Sequence, residues 1–109
     1  MSRAKGDIAE SKAVAYLQTK GYTIVERNFY SRFGEVDIVA MKDSVYHFIE
    51  VKSALDFEQA LNNITPTKLL RLTRTIDVYI KRNSSIKFYE LDAIVITPDR
   101  LEHIQNITL

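Results

Sequence analysis

The stretch from Gly34 to Lys52, GEVDIVAMKDSVYHFIEVK, decides how this chain folds. Val36, Ile38 and Ala40 alternate through its first half, and Val45, Ile49 and Val51 through its second. Apolar residues at period two are the pattern of half-buried β-strands. Lys42-Asp43-Ser44 between them is short and polar, as a hairpin connection would be. The spacing therefore predicts a β-hairpin that carries Asp37, Glu50 and Lys52. Residues two apart on a strand share a face, so Glu50 and Lys52 point the same way. Pairing about Asp43-Ser44 brings Asp37 within a residue or two of their level. Two carboxylates and an ammonium are expected to converge at one end of a small sheet.

Charges set among core-forming residues lose hydration, at a cost, unless they are paired or bound to an ion. Two carboxylates in contact repel, and one tends to hold a proton until a cation arrives. Oxygen donors suit a hard ion such as Mg2+ or Mn2+. A lysine beside them can orient an attacking water or steady the charge on a phosphate. Taken alone, however, a Glu-x-Lys in a strand is a short motif. On pattern alone the commoner meaning is a surface hairpin with a Glu–Lys cross-pair and a solvated aspartate, so the rest of the chain has to decide.

The chain has 109 residues, 46% hydrophobic and 27% charged, which fits one soluble globular domain spanning residues 1–109. No apolar run approaches a membrane span, and MSRAKGDIAE at the start lacks the apolar stretch of a secretory signal, so a cytoplasmic address is expected. There is no cysteine, which excludes disulfides and thiolate metal sites. His47 and His103 are the only histidines, so a histidine-rich zinc site is not expected. The net charge of +1 argues against a purely electrostatic nucleic-acid coat. Its distribution is uneven. Lys68, Arg71, Arg74, Lys81, Arg82 and Lys87 cluster between Pro66 and Phe88 against Asp77 alone, whereas Glu35, Asp37, Asp43, Glu50, Asp56 and Glu58 crowd between Phe33 and Glu58. An acidic centre beside a basic segment suits a metal-dependent enzyme of phosphate polymers, and is also what patchy charge looks like.

Residues 4–20 read as a helix capped by Gly21, with Gly6, Ala9, Ala13, Tyr16 and Leu17 on one face and Glu10 at its edge. A carboxylate there can lean over the sheet, or bend out to water. Tyr22 to Phe29 reads as a strand, and Ser31 to Gly34 as a turn. Ser53 to Thr65 is expected to be a loop with a helical turn near Phe57 to Leu61. Thr65-Pro66 opens a second helix that runs to Arg82, with Leu69, Leu72, Ile76, Tyr79 and Ile80 inward and the basic residues on the opposite arc. Strands follow at Ile86 to Thr97 and Leu101 to Leu109. The order α-β-β-β-α-β-β is that of an α/β domain in which a helix between the third and fourth strands lets them run parallel in a mixed sheet.

With these elements in place the chain resembles the bacterial YraN-like proteins, an uncharacterised group. That group is itself similar to the PD-(D/E)xK nuclease superfamily, and in particular to archaeal Holliday junction resolvases. The resemblance rests on Gly6 to Glu10 with Ala13 and Tyr16-Leu17, Gly21-Tyr22, Arg27-Asn28, GEVDIVA from Gly34, FIEVK from Phe48, Lys68 with Arg71, the strand containing Asp92, and HIQNI from His103. It implies a restriction-endonuclease-like α/β fold. It also implies a Mg2+- or Mn2+-dependent endonuclease acting on DNA, branched or otherwise structured substrates included. Asp37 and Glu50 match the metal-binding acids, Lys52 the lysine that positions the attacking water, and Glu10 the helix-borne glutamate of resolvase-like members. The Val51 carbonyl tends to face the metal in such nucleases, and Glu35 is a secondary acid. Lys68 and Arg71 would touch backbone phosphate. The chain departs from the family in having no arginine soon after the Glu-x-Lys, where Ser53-Ala54-Leu55 stand. A non-catalytic nucleic-acid-binding module using Lys68, Arg71, Arg74, Lys81 and Arg82 is the alternative. A structural or partner-binding domain is a third reading. A homodimer would match two-fold-symmetric substrates, although no stretch identifies a dimer face.

Overall fold

The computed structural model describes residues 2–107, with the backbone alone for residues 2–5. Its elements are α1 (Ser2–Thr19), β1 (Thr23–Ser31), β2 (Gly34–Lys42), β3 (Val45–Ser53), α2 (Phe57–Asn62), α3 (Pro66–Arg82), β4 (Tyr89–Ile96) and β5 (Leu101–Ile104). The five strands form one mixed sheet in the order β1-β2-β3-β4-β5. Among the described residues only β3 and β4 are parallel, as the intervening helix requires.

The hairpin forms about Asp43 and Ser44, with Lys42 paired to Val45. Both turn residues have positive φ, 53° and 68°, which is the handedness that matches the twist of the two strands. α1 ends at Gly21, with φ 89°, where the N–H of Tyr22 returns to the carbonyl of Leu17 and that of Gly21 to Gln18. An L-residue would be strained there. α3 starts on Thr65, whose hydroxyl accepts from the Lys68 N–H at 3.2 Å, followed by Pro66.

Two hydrophobic layers sandwich the sheet. Ala9, Ala13 and Leu17 of α1 press on Ile38, Ala40, Ile49 and Ile94. Leu69, Leu72, Ile76 and Tyr79 of α3 press on Phe29, Val36, Val39, Phe48 and Leu91 from the other side. The half-buried strands expected from alternation are therefore corrected: β2 and β3 are covered on both faces, with Val36, Ile38, Val39 and Ala40 fully buried. Val36 also faces α3, whereas Ile38, two residues on, faces α1. The switch falls where Asn28 of β1, with φ 57°, lies across from Asp37 between the pairs Arg27–Ile38 and Phe29–Val36. A left-handed residue inside a strand breaks the alternation of facing.

Other boundaries shift. The expected loop contains α2, capped by the Asp56 carboxylate on the Gln59 N–H at 2.7 Å. Residues 86–88 precede β4 rather than belonging to it, because Ile86 turns into the layer beneath α3. The last strand stops at Ile104: residues 105–107 of the expected strand are not in it, and residues 108 and 109 lie outside the described residues. Gly6 does not bring α1 close to the sheet. A Cβ there would meet nothing within 4 Å, and Ala9 and Ala13 make the approach. Among the described residues no helix is long and apolar enough to cross a membrane.

Candidate metal and phosphate site

Ladder pairing of β2 with β3 ends at Ile38–Ile49, one step before Asp37 and Glu50 would face each other. Beyond that point the Asp37 carboxylate takes over from the backbone. Its Oδ2 accepts from the Val51 N–H at 2.8 Å, a hydrogen bond that fixes the side chain against β3. Glu50 and Lys52 project together, and Lys52 Nζ lies 3.2 Å from Glu50 Oε2. Glu10 comes from α1, is only 9% exposed, and has Arg27 Nη2 at 3.7 Å from its Oε1. With its amide turned so that Nδ2 faces the acids, Asn28 donates to Glu35 Oε2 at 2.9 Å and to Glu10 Oε1 at 3.1 Å. The left-handed Asn28 that switches the facing of β1 thus also ties two of the carboxylates together.

Glu10, Glu35, Asp37, Glu50, Val51, Lys52 and Lys68 line one cavity of about 580 Å³. Lys68 and Arg71 border a smaller recess beside Glu50. Arg74 lines a third cavity one helical turn further on. Lys81 and Arg82 stand in the last turn of α3, where the Arg82 guanidinium lies 5.7 Å from the centre of the Phe29 ring. The basic arc of α3 is thus divided, with its first three cations on the side of the acidic cavity.

The acids are under electrostatic stress. Burial, then the neighbouring Glu50, pushes the Asp37 carboxyl up to about 9. Burial, then Glu35, raises Glu10, with Arg27 opposing. Carboxyls crowded in this way hold a proton that a divalent ion would displace. The donor set, with the four carboxylates of Glu10, Glu35, Asp37 and Glu50 and no sulfur or imidazole among the lining residues, fits a hard ion.

A second polar centre lies under the C-terminal half of α1. Asp92, fully buried, accepts from His47 Nδ1 at 2.7 Å, His103 Nε2 at 2.8 Å and the Asn106 N–H at 3.0 Å. Tyr22 packs edge-on against both imidazole rings. Burial alone would raise Asp92, but the hydrogen bonds from His103, Asn106 and His47 outweigh it and hold the carboxyl below its usual range. Glu90 Oε1 lies 3.8 Å from His47 Nδ1, and the ligand atoms of His47, Glu90 and Asp92 lie within 4.8 Å of one another, so this group could also hold a metal ion. Sequence reading did not assemble this centre, because its members are 11 and 45 positions apart. The signal was Asp92 itself, a lone acid in the apolar run LDAIVI, which requires partners.

Fold and cavity together define a mixed α/β protein with a carboxylate-and-lysine cleft at the open end of a hairpin. A family model described as "Uncharacterised protein family UPF0102" matches residues 9–96, and the chain belongs to that family, the YraN-like group. A UPF0102 protein of Sulfurimonas denitrificans is 56% identical over 109 residues, covering all of both chains. One of Aliarcobacter butzleri is 48% identical over 110 residues, again covering all of both. One of Helicobacter pylori is 43% identical over 106 residues, covering 97% of this chain and 92% of the other.

Proposed function

We propose that this protein is a cytoplasmic, Mg2+- or Mn2+-dependent endonuclease that hydrolyses phosphodiester bonds of DNA, branched or structured DNA included. The observation that carries the reading is Asp37. Its carboxyl is driven up to about 9 inside a cavity that also holds Glu10, Glu50 and Lys52, an arrangement unfavourable to the empty protein and relieved by a cation. Asp37, Glu50 and Glu10 would hold the ion, with the Val51 main chain beside them. When bound, the ion supplies Lewis-acid stabilisation of charge on the phosphate. The protein's own groups do the rest. The Val51 N–H keeps Asp37 in place. Lys52 Nζ, anchored by Glu50, donates a hydrogen bond to the attacking water or to the phosphate. Lys68 and Arg71 neutralise flanking phosphates, which in-line displacement demands because little covalent chemistry is left for the protein to do.

The test is direct. Purified protein with branched, nicked and single-stranded DNA in Mg2+ or Mn2+ should cut at least one substrate. Lys52→Ala should lower the rate by about 10²- to 10³-fold, as removal of one charge-stabilising donor does. Undiminished cutting by that variant overturns the assignment. Salt-sensitive retention that is indifferent to metal, with no cutting, would make the chain a nucleic-acid-binding module instead.

A further inference from the structure

The turn between β1 and β2 adds a feature that the carboxylate cavity does not use. Tyr30, Arg32, Phe33, Gly34, Arg71 and Arg74 surround a cavity of about 570 Å³. Glu35 belongs both to this cavity and to the carboxylate one, and Gly34 and Arg71 also border the recess between them, so the spaces run together along the start of α3. The Phe33 ring has the Arg32 guanidinium at 4.8 Å and that of Arg74 at 5.9 Å from its centre.

The turn is held to the helix. Ser31 Oγ accepts from the Phe33 N–H at 3.0 Å and meets Thr75 Oγ1 at 2.9 Å. Gly34 takes φ 154°, which L-residues rarely adopt, where the strand restarts beside Thr75 and Arg71 of α3. Two aromatic rings, Tyr30 and Phe33, and three arginines therefore surround a space of nucleotide size, against the single carboxylate of Glu35.

Rings and guanidinium planes recognise bases by stacking, and the faces of a paired base are already covered by its neighbours. We infer that this cavity is a subsite for one unpaired nucleotide next to the reacting phosphate. Its base lies against Phe33 and the flanking guanidinium planes, and its phosphate lies between Arg71 and Arg74, which are one turn apart on α3. The inference rests on the proposed nuclease reading and sharpens its substrate: a strand with a single-stranded tract beside the cleavage point, such as a flap, fork or junction, rather than continuous duplex.

The test uses forked DNA carrying 2-aminopurine at successive positions of the single-stranded tract, bound to the Lys52→Ala protein so that the strand stays intact. Binding should quench the fluorophore at one position near the fork. Phe33→Ala should remove that quench and weaken binding about tenfold, the scale of one base–aromatic stack. Arg74→Gln should lower the slope of log affinity against log salt by about one ion. An abasic nucleotide at the quenched position should reproduce the loss without any change to the protein. A quench at no position, or equal weakening of fork and fully paired duplex by Phe33→Ala, overturns the subsite. The two readings fail separately. Cutting that is undiminished by Lys52→Ala removes the proposed chemistry while a position-specific quench upholds the subsite, and Lys52-dependent cutting without any Phe33 effect removes the subsite alone.

Discussion

Asp92 and Asp37 are both enclosed aspartates beside β3, and the protein treats them oppositely. Asp92 is surrounded by donors: His47, His103 and the Asn106 N–H satisfy it, and its carboxyl is held below the usual range. Asp37 accepts from the Val51 N–H, but it is buried against Glu50, to which it also hydrogen-bonds, with Glu10 nearby, so its carboxyl is driven up to about 9. The first aspartate fastens β3, β4 and β5 together. The second is held in an arrangement that gains only when something positive arrives. A buried charge with all its partners serves the fold, and one deprived of them is a candidate for chemistry.

The largest way to break this comparison is at Asp92. Asp92→Asn places an N–H where an acceptor is needed and leaves two histidines short of a partner. It should cost about 3–5 kcal/mol, read from urea unfolding. A loss below about 1 kcal/mol would show that the network does not fasten the sheet. Its pH dependence follows from the lowered pKa. The contribution of Asp92 is present above its unfolded value of 3.8 and is lost as pH falls through the lower native value, so wild type but not Asp92→Asn should lose it below about pH 4.

Metal addition comes next. If the carboxylate cavity is the binding site, Mn2+ at a hundred times its dissociation constant should stabilise the protein by about 2.7 kcal/mol. That amounts to a rise in Tm of roughly 10 °C for a chain of this size. Glu50→Gln should abolish the rise, and chelation should reverse it. Glu90→Gln should leave it intact, because Glu90 belongs to the His47 and Asp92 group. The opposite outcome, a rise lost in Glu90→Gln and kept in Glu50→Gln, would move the metal to the histidine centre.

Sequence made one of these regions far more legible than the other, for a physical reason. The hairpin is local. A two-residue turn sets its register, and register alone brings Asp37 to the level of Glu50 and Lys52. The caps of α1 and α3 are equally local, since Gly21, Thr65 and Pro66 act within a few residues. What escaped depends on distant packing or on a single dihedral angle. Val36 and Ile38 face opposite layers beside the positive φ of Asn28, and periodicity carries no trace of either. Burial of both faces of β2 depends on where α1 and α3 dock. The short α2 was visible only as one helical turn. Glu10 could be placed at the edge of its helix, but its contact with Asn28 depends on how α1 crosses the sheet.

The smallest expected effect separates the two aspartates most sharply, because it runs in the unusual direction. Asp37 has its native pKa raised, from 3.8 unfolded to about 9 folded. The folded state therefore binds the extra proton between those values. Its contribution is greatest below pH 3.8, falls as pH rises, and is exhausted above about 9. Asp37→Asn keeps an oxygen for the Val51 N–H and removes the charge. Without metal it should stabilise the protein at pH 8, by about 1–3 kcal/mol. The gain should shrink to nothing as pH is lowered toward 4, where the unfolded wild-type chain also takes up the proton and charging no longer opposes folding. With saturating Mn2+ the order should reverse, since the ion compensates the wild-type carboxylates and the amide binds it weakly. Urea unfolding of both proteins at pH 5, 7 and 8.5, with and without Mn2+, measures all three effects. A variant less stable than wild type at every pH without metal would make Asp37 a second fastening group like Asp92, and the contrast between the two aspartates would collapse.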